Sequence, residues 1–259
     1  IKNIIHEGDQ NLEDLFFRII LFKIFNRIST WQFLEQELGE ISLKDYSYKI
    51  YDRLLSEILK SKSPIYSAAY IMASGKSTFG MERKHQNHLK LIEQMINDKL
   101  PYKLQNCQNM EQAYKLLLSY PTIGEFLAYQ YVTDLNYSNI TNFTEMEFVK
   151  AGPGAKDGIT KCFTSLGDYS YEDVIKMMAD NQEIEFERLG LNFQNLWGRD
   201  LQLIDCQNVF CEVDKYSRVF HPEVSGISNR TRIKQKFTLQ NKEDISFYFP
   251  PKWNINNLI

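Results

Sequence analysis

Cysteine is scarce in this chain, and the four present, Cys107, Cys162, Cys206 and Cys211, form no CxxC pair. No histidine stands at a zinc-ligand spacing from the last two, and the four-cysteine run of an iron–sulfur cluster is missing. Free thiols in a reducing compartment are therefore expected, with no metal and no cofactor. Long apolar runs are also lacking: nothing reaches the roughly 18 uninterrupted residues that span a bilayer. The most apolar early run, Leu15 to Phe25, is broken by Arg18 and Lys23 and lacks the marks of a signal peptide. A soluble, cytoplasmic protein with no membrane partner is the expectation. Positive charge is not in excess either. With 30 Lys+Arg against 33 Asp+Glu, the net charge is −3, so no global field attracts nucleic acid. No internal repeat or low-complexity linker occurs. At 43% hydrophobic and 14% aromatic residues, the disordered and fibrous classes are excluded.

What remains is helical periodicity over 259 residues, a length that suits one to two domains. Leu12, Leu15, Phe16, Ile19, Ile20, Phe22 and Phe25 recur at helical spacing. Ser29 or Thr30 can cap a second helix that stops at Gly39, and Ser42 opens a third running to Leu59. The stretch Ile65–Met72 reads as a helix and Gly75–Gly80 as a loop. Further helices are expected over Glu82–Lys99, where Pro101 ends the run, and over Glu111–Ser119, Glu125–Leu135, Lys156–Ser165, Tyr171–Asp180 and Leu201–Arg218. Arg230–Phe237 alternates and suits a strand or a helix, and the tail from Ser246 an irregular clasp. The expectation is one all-α unit spanning 1–259, with room for two lobes. One lobe would be about 30–150, and the other the N-terminal helix plus 151–259.

Several strings invite a chemical reading. Ser74-Gly75-Lys76-Ser77-Thr78 resembles the end of a phosphate-binding loop, but Tyr70 occupies the position of its first glycine and no strand precedes it. A solvated loop is expected there. His85 and His88 lie three apart on a helix with no evident carboxylate or thiolate partner, so two surface histidines are expected.

Tyr120-Pro121-Thr122-Ile123-Gly124 sits between two helices, in the layout of a helix-hairpin-helix. Backbone N–H groups of Thr122, Ile123 and Gly124 could there hold a DNA phosphate without reading sequence, or the hairpin could be purely structural. DNA glycosylases with this hairpin carry an aspartate that caps a later helix, and Lys156-Asp157-Gly158 occupies a comparable place at longer spacing. Such a carboxylate stabilises positive charge on the sugar or activates water. The alternative is an ordinary helix cap. Asp205-Cys206-Gln207-Asn208, followed by Glu212, Asp214, Lys215 and Arg218, is the densest polar run on an apolar helix. Asp205, Asn208 and Glu212 share one side, which suits either a polar pocket or a structural network. Arg230, Arg232, Lys234 and Lys236 then alternate as the concentrated positive stretch, fitted to phosphates or to a solvated edge.

Longer motifs carry a family resemblance. They are Phe126-Leu127-Ala128-Tyr129-Gln130, Asp134-Leu135-Asn136-Tyr137-Ser138, Gly152-Pro153-Gly154-Ala155, Leu203-Ile204-Asp205-Cys206-Gln207-Asn208, Phe210-Cys211-Glu212 and Arg232-Ile233-Lys234-Gln235-Lys236-Phe237. From about Leu12 to Phe237 the chain resembles the helical domain linked to 5-hydroxymethyluracil DNA kinases, also called the α-glutamyl/putrescinyl-thymine pyrophosphorylase family. The resemblance implies work on hypermodified thymine in phage DNA. It also implies a fold related to helix-hairpin-helix glycosylases, with two helical lobes and a DNA cleft between them.

The leading expectation is accordingly a DNA glycosylase. It would flip a hydroxymethylated or glycosylated pyrimidine from double-stranded DNA and excise it, in defence against phages. Asp205 and Asp157 are its candidate catalytic carboxylates, with Glu145 and Glu147 as alternatives. Gln207, Asn208, Glu212 and Gln130 would bind the base. Thr122, Ile123, Gly124, Lys215, Arg230, Arg232, Lys234 and Lys236 would bind DNA. Phe126 stands where bifunctional glycosylases carry a lysine nucleophile, so monofunctional chemistry is expected, unless Lys150 or Lys156 approaches the cleft. The alternative is a non-catalytic or transferase-type DNA-binding module that serves thymine hypermodification beside a separate kinase.

Overall fold

The computed structural model describes residues 1–233 and 247–259, and the candidate phosphate ligands Lys234 and Lys236 lie outside them. Among the described residues there are twelve α-helices and no strand, so the protein is all-helical. The chain divides into two compact units, Ile1–Phe143 and Thr144–Ile259.

The first unit is built around α1, Leu12–Phe25. Asn11 caps it by accepting from the Asp14 backbone N–H at 3.0 Å, and Asn26 ends it in the left-handed conformation. This helix is apolar almost all round, as a central helix must be, and Phe16, Ile20 and Leu21 are wholly buried. Each such side chain contributes roughly 1.5–3 kcal/mol. Its three buried polar residues are paired: Arg18 with Asp14, and Lys23 with Asp134 of α8 at 2.6 Å. The helix belongs to this unit, not to a lobe with 151–259.

Around it follow α2 (Ile28–Leu38), α3 (Tyr48–Lys60), the single turn α4 (Lys76–Phe79) and α5 (Lys84–Asn97). Then come α6 (Leu100–Gln105), α7 (Met110–Leu118) and α8 (Glu125–Asn136). Three expectations need correction. Ser42 does not open α3, because its hydroxyl closes a turn with Asp45. Ile65–Met72 is not helical. Ser67 turns its hydroxyl to the N–H and the carbonyl of Ala69, and Tyr70 has φ of +56°, both incompatible with a continuing helix. Pro101 does not end a helix but stands in the first turn of α6, where its missing N–H costs nothing.

The second unit holds α9 (Pro153–Cys162), α10 (Tyr171–Asp180), α11 (Gln182–Arg188) and α12 (Leu203–Phe220), with short 3₁₀ turns near its end. Its framework is the α9–α12 pair. Gly154 and Gly158 lie one helical turn apart and let α12 approach closely. A Cβ on Gly158 would stand 2.0 Å from the Phe210 carbonyl oxygen, and one on Gly154 3.0 Å from the Cys211 sulfur. Pro153 starts α9 earlier than the sequence suggests, so Asp157 falls in its second turn and caps nothing.

Candidate functional site

In the first unit, α7 and α8 form the expected helical hairpin around residues 119–124. Tyr120 and Ile123 are buried beneath it, and the Tyr120 hydroxyl donates to Asp98 at 3.1 Å. Thr122 has φ of +70°, the conformation that explains why the hairpin pattern has glycine there. The Ile123 N–H is taken by the Tyr120 carbonyl at 3.3 Å, so of Thr122, Ile123 and Gly124 only Gly124 is exposed. It opens α8 beside the exposed acid Glu125. Phe126 stacks on Tyr70 with centroids 5.7 Å apart. Gln130 lies one turn further along the same face, 5% exposed, and its side-chain N–H₂ has no hydrogen-bond partner.

The phosphate-loop reading finds no support: Gly75 and Gly80, both left-handed, bracket the isolated turn α4. The surface-histidine expectation is corrected. His85 and His88 are buried, His85 2.8 Å from Asp52 and His88 held between the Tyr66 hydroxyl at 2.9 Å and the Ala73 carbonyl at 2.8 Å. Burial pushes His88 down to about 4, so it is neutral and structural at pH 7. Among the described residues no group of acids, histidines and cysteines is placed to hold a metal ion.

In the second unit, the polar residues of α12 split between its two sides. Asp205, Asn208 and Glu212 do share one side, an open face of α12 that also carries Val213 and the exposed Val209 and Tyr216. Asp205 also closes the start of α12 by accepting from the Gln202 N–H at 2.9 Å, and Arg199 donates to it at 3.1 Å. Arg199 in turn pairs with Glu145 and lies 3.7 Å over the Trp253 ring, a cluster that local spacing could not announce. Gln207 faces the other way, wholly buried, and accepts from the Gly152 N–H at 3.2 Å. It ties α12 to the turn before α9. Lys215 is exposed and paired with Glu212. Burial pushes the Cys206 and Cys211 thiols up to about 11, which leaves them protonated.

Asp157 is 1% exposed and clamps the loop at 228–230. It accepts from the Ser228 N–H at 2.8 Å, the Ser228 hydroxyl and Arg230. Burial alone would raise its pKa, but these hydrogen bonds outweigh it and hold the carboxyl below the usual range. Arg230 is thus partly spent inside the protein, whereas Arg232 is exposed and engages the described chain through its backbone carbonyl, 2.8 Å from Arg218. Beneath them Asp214, 1% exposed, gathers Lys161 at 3.0 Å and Arg218. Lys161 was invisible as a partner, being 53 residues away in sequence.

The hairpin of the first unit and, in the second, the polar face of α12 and the exposed Arg232 are features of an all-helical protein. Residues 1–226 match the model of the 5-hmdU DNA kinase helical domain, and the chain belongs to that family. A relative from Bacillus phage SP10, a 5-hmdU DNA kinase, is 28% identical over 215 residues. That alignment covers 77% of this chain but 33% of the relative, so the chain spans about a third of its length. No solved structure matches. These findings overturn the glycosylase expectation: the relative is a kinase, which transfers a phosphoryl group, and not a hydrolase that excises a base. Without excision there is no glycosidic bond for Asp205 or Asp157 to cleave, and the monofunctional argument from Phe126 lapses with it. Among the described residues no helix is long and apolar enough to cross a membrane.

Proposed function

We propose that this chain is a DNA-binding helical module of a thymine-hypermodification system. It engages double-stranded DNA carrying 5-hydroxymethyluracil and presents it to a kinase activity. The observation that carries the reading is the family match over residues 1–226, together with a relative named for phosphorylation of that base in DNA. Three features support it. Gly124 leaves the N-terminus of α8 exposed on the hairpin, where backbone N–H groups suit a phosphate. Arg232 offers an exposed guanidinium, continuous in sequence with Lys234 and Lys236. Asn208 and Glu212 stand beside Val209 and Tyr216 on an exposed face of α12, where an amide and a carboxylate can read a pyrimidine edge and its hydroxymethyl group.

The test is fluorescence anisotropy with matched duplexes containing thymine or 5-hydroxymethyluracil. Binding of both, tighter for the modified duplex and weakened by salt, is expected. Absence of binding to either duplex at low salt overturns the reading.

A further inference from the structure

Within the second unit, the loop that follows α12 encloses a small cavity of about 50 Å³. Lys161 from the last turn of α9, Arg218 from the last turn of α12, and Ser225, Gly226, Arg230 and Thr231 of the loop line it. The loop is pinned at its base. Asp157 accepts from the Ser228 N–H and hydroxyl, and a Cβ on Gly226 would stand 2.9 Å from the Asp157 carboxylate.

Formal charge around this cavity is out of balance. Asp214 pairs with Lys161 and Arg218, with Arg230 3.8 Å away, and Asp157 pairs with Arg230. Three cations therefore share two carboxylates. The surplus positive charge stands where the Lys161 and Arg218 side chains are only 4% and 10% exposed. Glu223 belongs to the same loop, but it is not in the lining and lies 3.5 Å from His221. A surplus charge in such a place costs free energy until a counter-charge arrives. The donors at the mouth are within a ligand's reach. The Arg230 side chain is 40% exposed, and its Nη1 meets no acceptor among the described residues. Ser225 and Thr231 are exposed, and neither their hydroxyls nor the N–H groups of Ser225, Gly226 and Thr231 donate to any described residue.

Size and charge narrow the ligand. At roughly 10–15 Å³ per water, the cavity takes a few waters or one tetrahedral ion, and excludes a base or a sugar. Guanidinium, hydroxyl and N–H donors around a surplus positive charge select an oxyanion. A carboxylate offers them two oxygens and a terminal phosphoryl group three, and the Arg230 fork matches phosphate geometry. A phosphodiester must enter and leave by two ester links, which suits the exposed Arg232 better than an enclosed cavity. We infer that this cavity binds a terminal phosphoryl group, as free phosphate or a phosphomonoester. Its oxygens meet Arg230, the Ser225 and Thr231 hydroxyls and the loop N–H groups, with Lys161 and Arg218 supplying charge behind them. The inference does not rest on the DNA-binding reading, which other residues carry.

The experiment is calorimetric titration of the full chain with inorganic phosphate and, separately, with thymidine 5′-monophosphate, both at physiological salt. Saturable binding at one site is expected, and the tighter of the two probes identifies the source of the phosphoryl group. An unmodified duplex with hydroxyl ends should not displace either probe. Thr231→Glu sets a carboxylate at the exposed mouth and should weaken binding by at least about tenfold, whereas the neutral Thr231→Gln should change it by less than about threefold. Arg230→Lys keeps the charge beside Asp157 but removes the fork, and should weaken binding by about fivefold. Urea midpoints of all variants show whether they remain folded. No saturable binding of either probe, equal binding by folded Thr231→Glu and Thr231→Gln, or displacement by the duplex overturns the proposal. Duplex affinity is measured by itself, so failure of the phosphate titration is distinct from failure of the DNA reading.

Discussion

At the scale of single residues, Gly158 and His88 show how position, not residue type, sets the role. Gly158 stands next to Asp157 in a pair that resembles a catalytic signature, yet its service is contact: no side chain fits between α9 and the Phe210 carbonyl. Gly158→Ala is expected to destabilise the protein by at least about 2 kcal/mol, the cost of overpacking a closed helix crossing. Gly154→Ala, facing the Cys211 sulfur at 3.0 Å, should cost less, because a side chain can yield where a backbone carbonyl cannot. Urea unfolding of both variants checks the order, and equal midpoints would show that the crossing relaxes freely. His88 gives a pH dependence with a definite sign. Its folded pKa, about 4, lies below the ordinary 6.5, so the unfolded chain takes up this proton first as pH falls. Stability is then lost between about pH 6.5 and 4, by as much as about 3 kcal/mol. His85, lowered mainly by burial despite its contact with Asp52, acts in the same direction. Wild type should lose more stability than His88→Gln between pH 7.5 and 4.5, and parallel losses would assign the effect to other groups.

At the scale of elements, the hairpin was the most legible local feature. Pro121 and Gly124 between two amphipathic runs announced it, and the left-handed Thr122 marks where glycine would be at ease. Thr122→Gly is expected to stabilise the chain by about 1 kcal/mol. It removes a strained φ and a buried hydroxyl that has no hydrogen-bond partner, against a smaller entropic cost. A lower thermal midpoint in this variant would show that the methyl contact with Gly75 outweighs the strain. Helices such as α1, α7, α8 and α12 were readable because apolar residues recur at helical spacing within the element, on one face in α7 and α12 and almost all round in α1 and α8. What failed depended on bonds the periodicity does not encode. Ser67 diverted Ile65–Met72 from a helix through its own hydroxyl, and Ser42 closed a turn with Asp45 before α3 could start. The polar run on α12 was seen as one cluster, yet Gln207 points into the unit and ties down Gly152, while Asp205, Asn208 and Glu212 share its open face. That division follows from the turn of the helix. The partners Lys161, Arg199 and Trp253 follow only from the tertiary fold.

At the scale of the whole molecule, a net charge of −3 means that DNA must be met by local arrangements and not by a general field. The acids are also unevenly used, since Asp157 and Asp214 neutralise Arg230, Lys161 and Arg218 inside the second unit. Arg232, exposed, is therefore the described cation of the basic stretch with most of its charge available to a phosphate. Arg232→Ala should weaken binding to thymine and 5-hydroxymethyluracil duplexes alike, and lower the slope of log affinity against log salt by about one. Asn208→Ala should leave that slope unchanged and instead reduce the preference for the modified duplex by about fivefold, the scale of one lost hydrogen bond to a base. The two variants thus separate backbone contact from base recognition in one set of titrations. The same DNA, recovered and heated with alkali, should remain intact, because a module of a kinase family leaves the base on its sugar. Alkali-labile breaks at the modified positions would restore excision and overturn the proposed role, whereas an unchanged salt slope in Arg232→Ala would move the phosphate contact to another part of the chain.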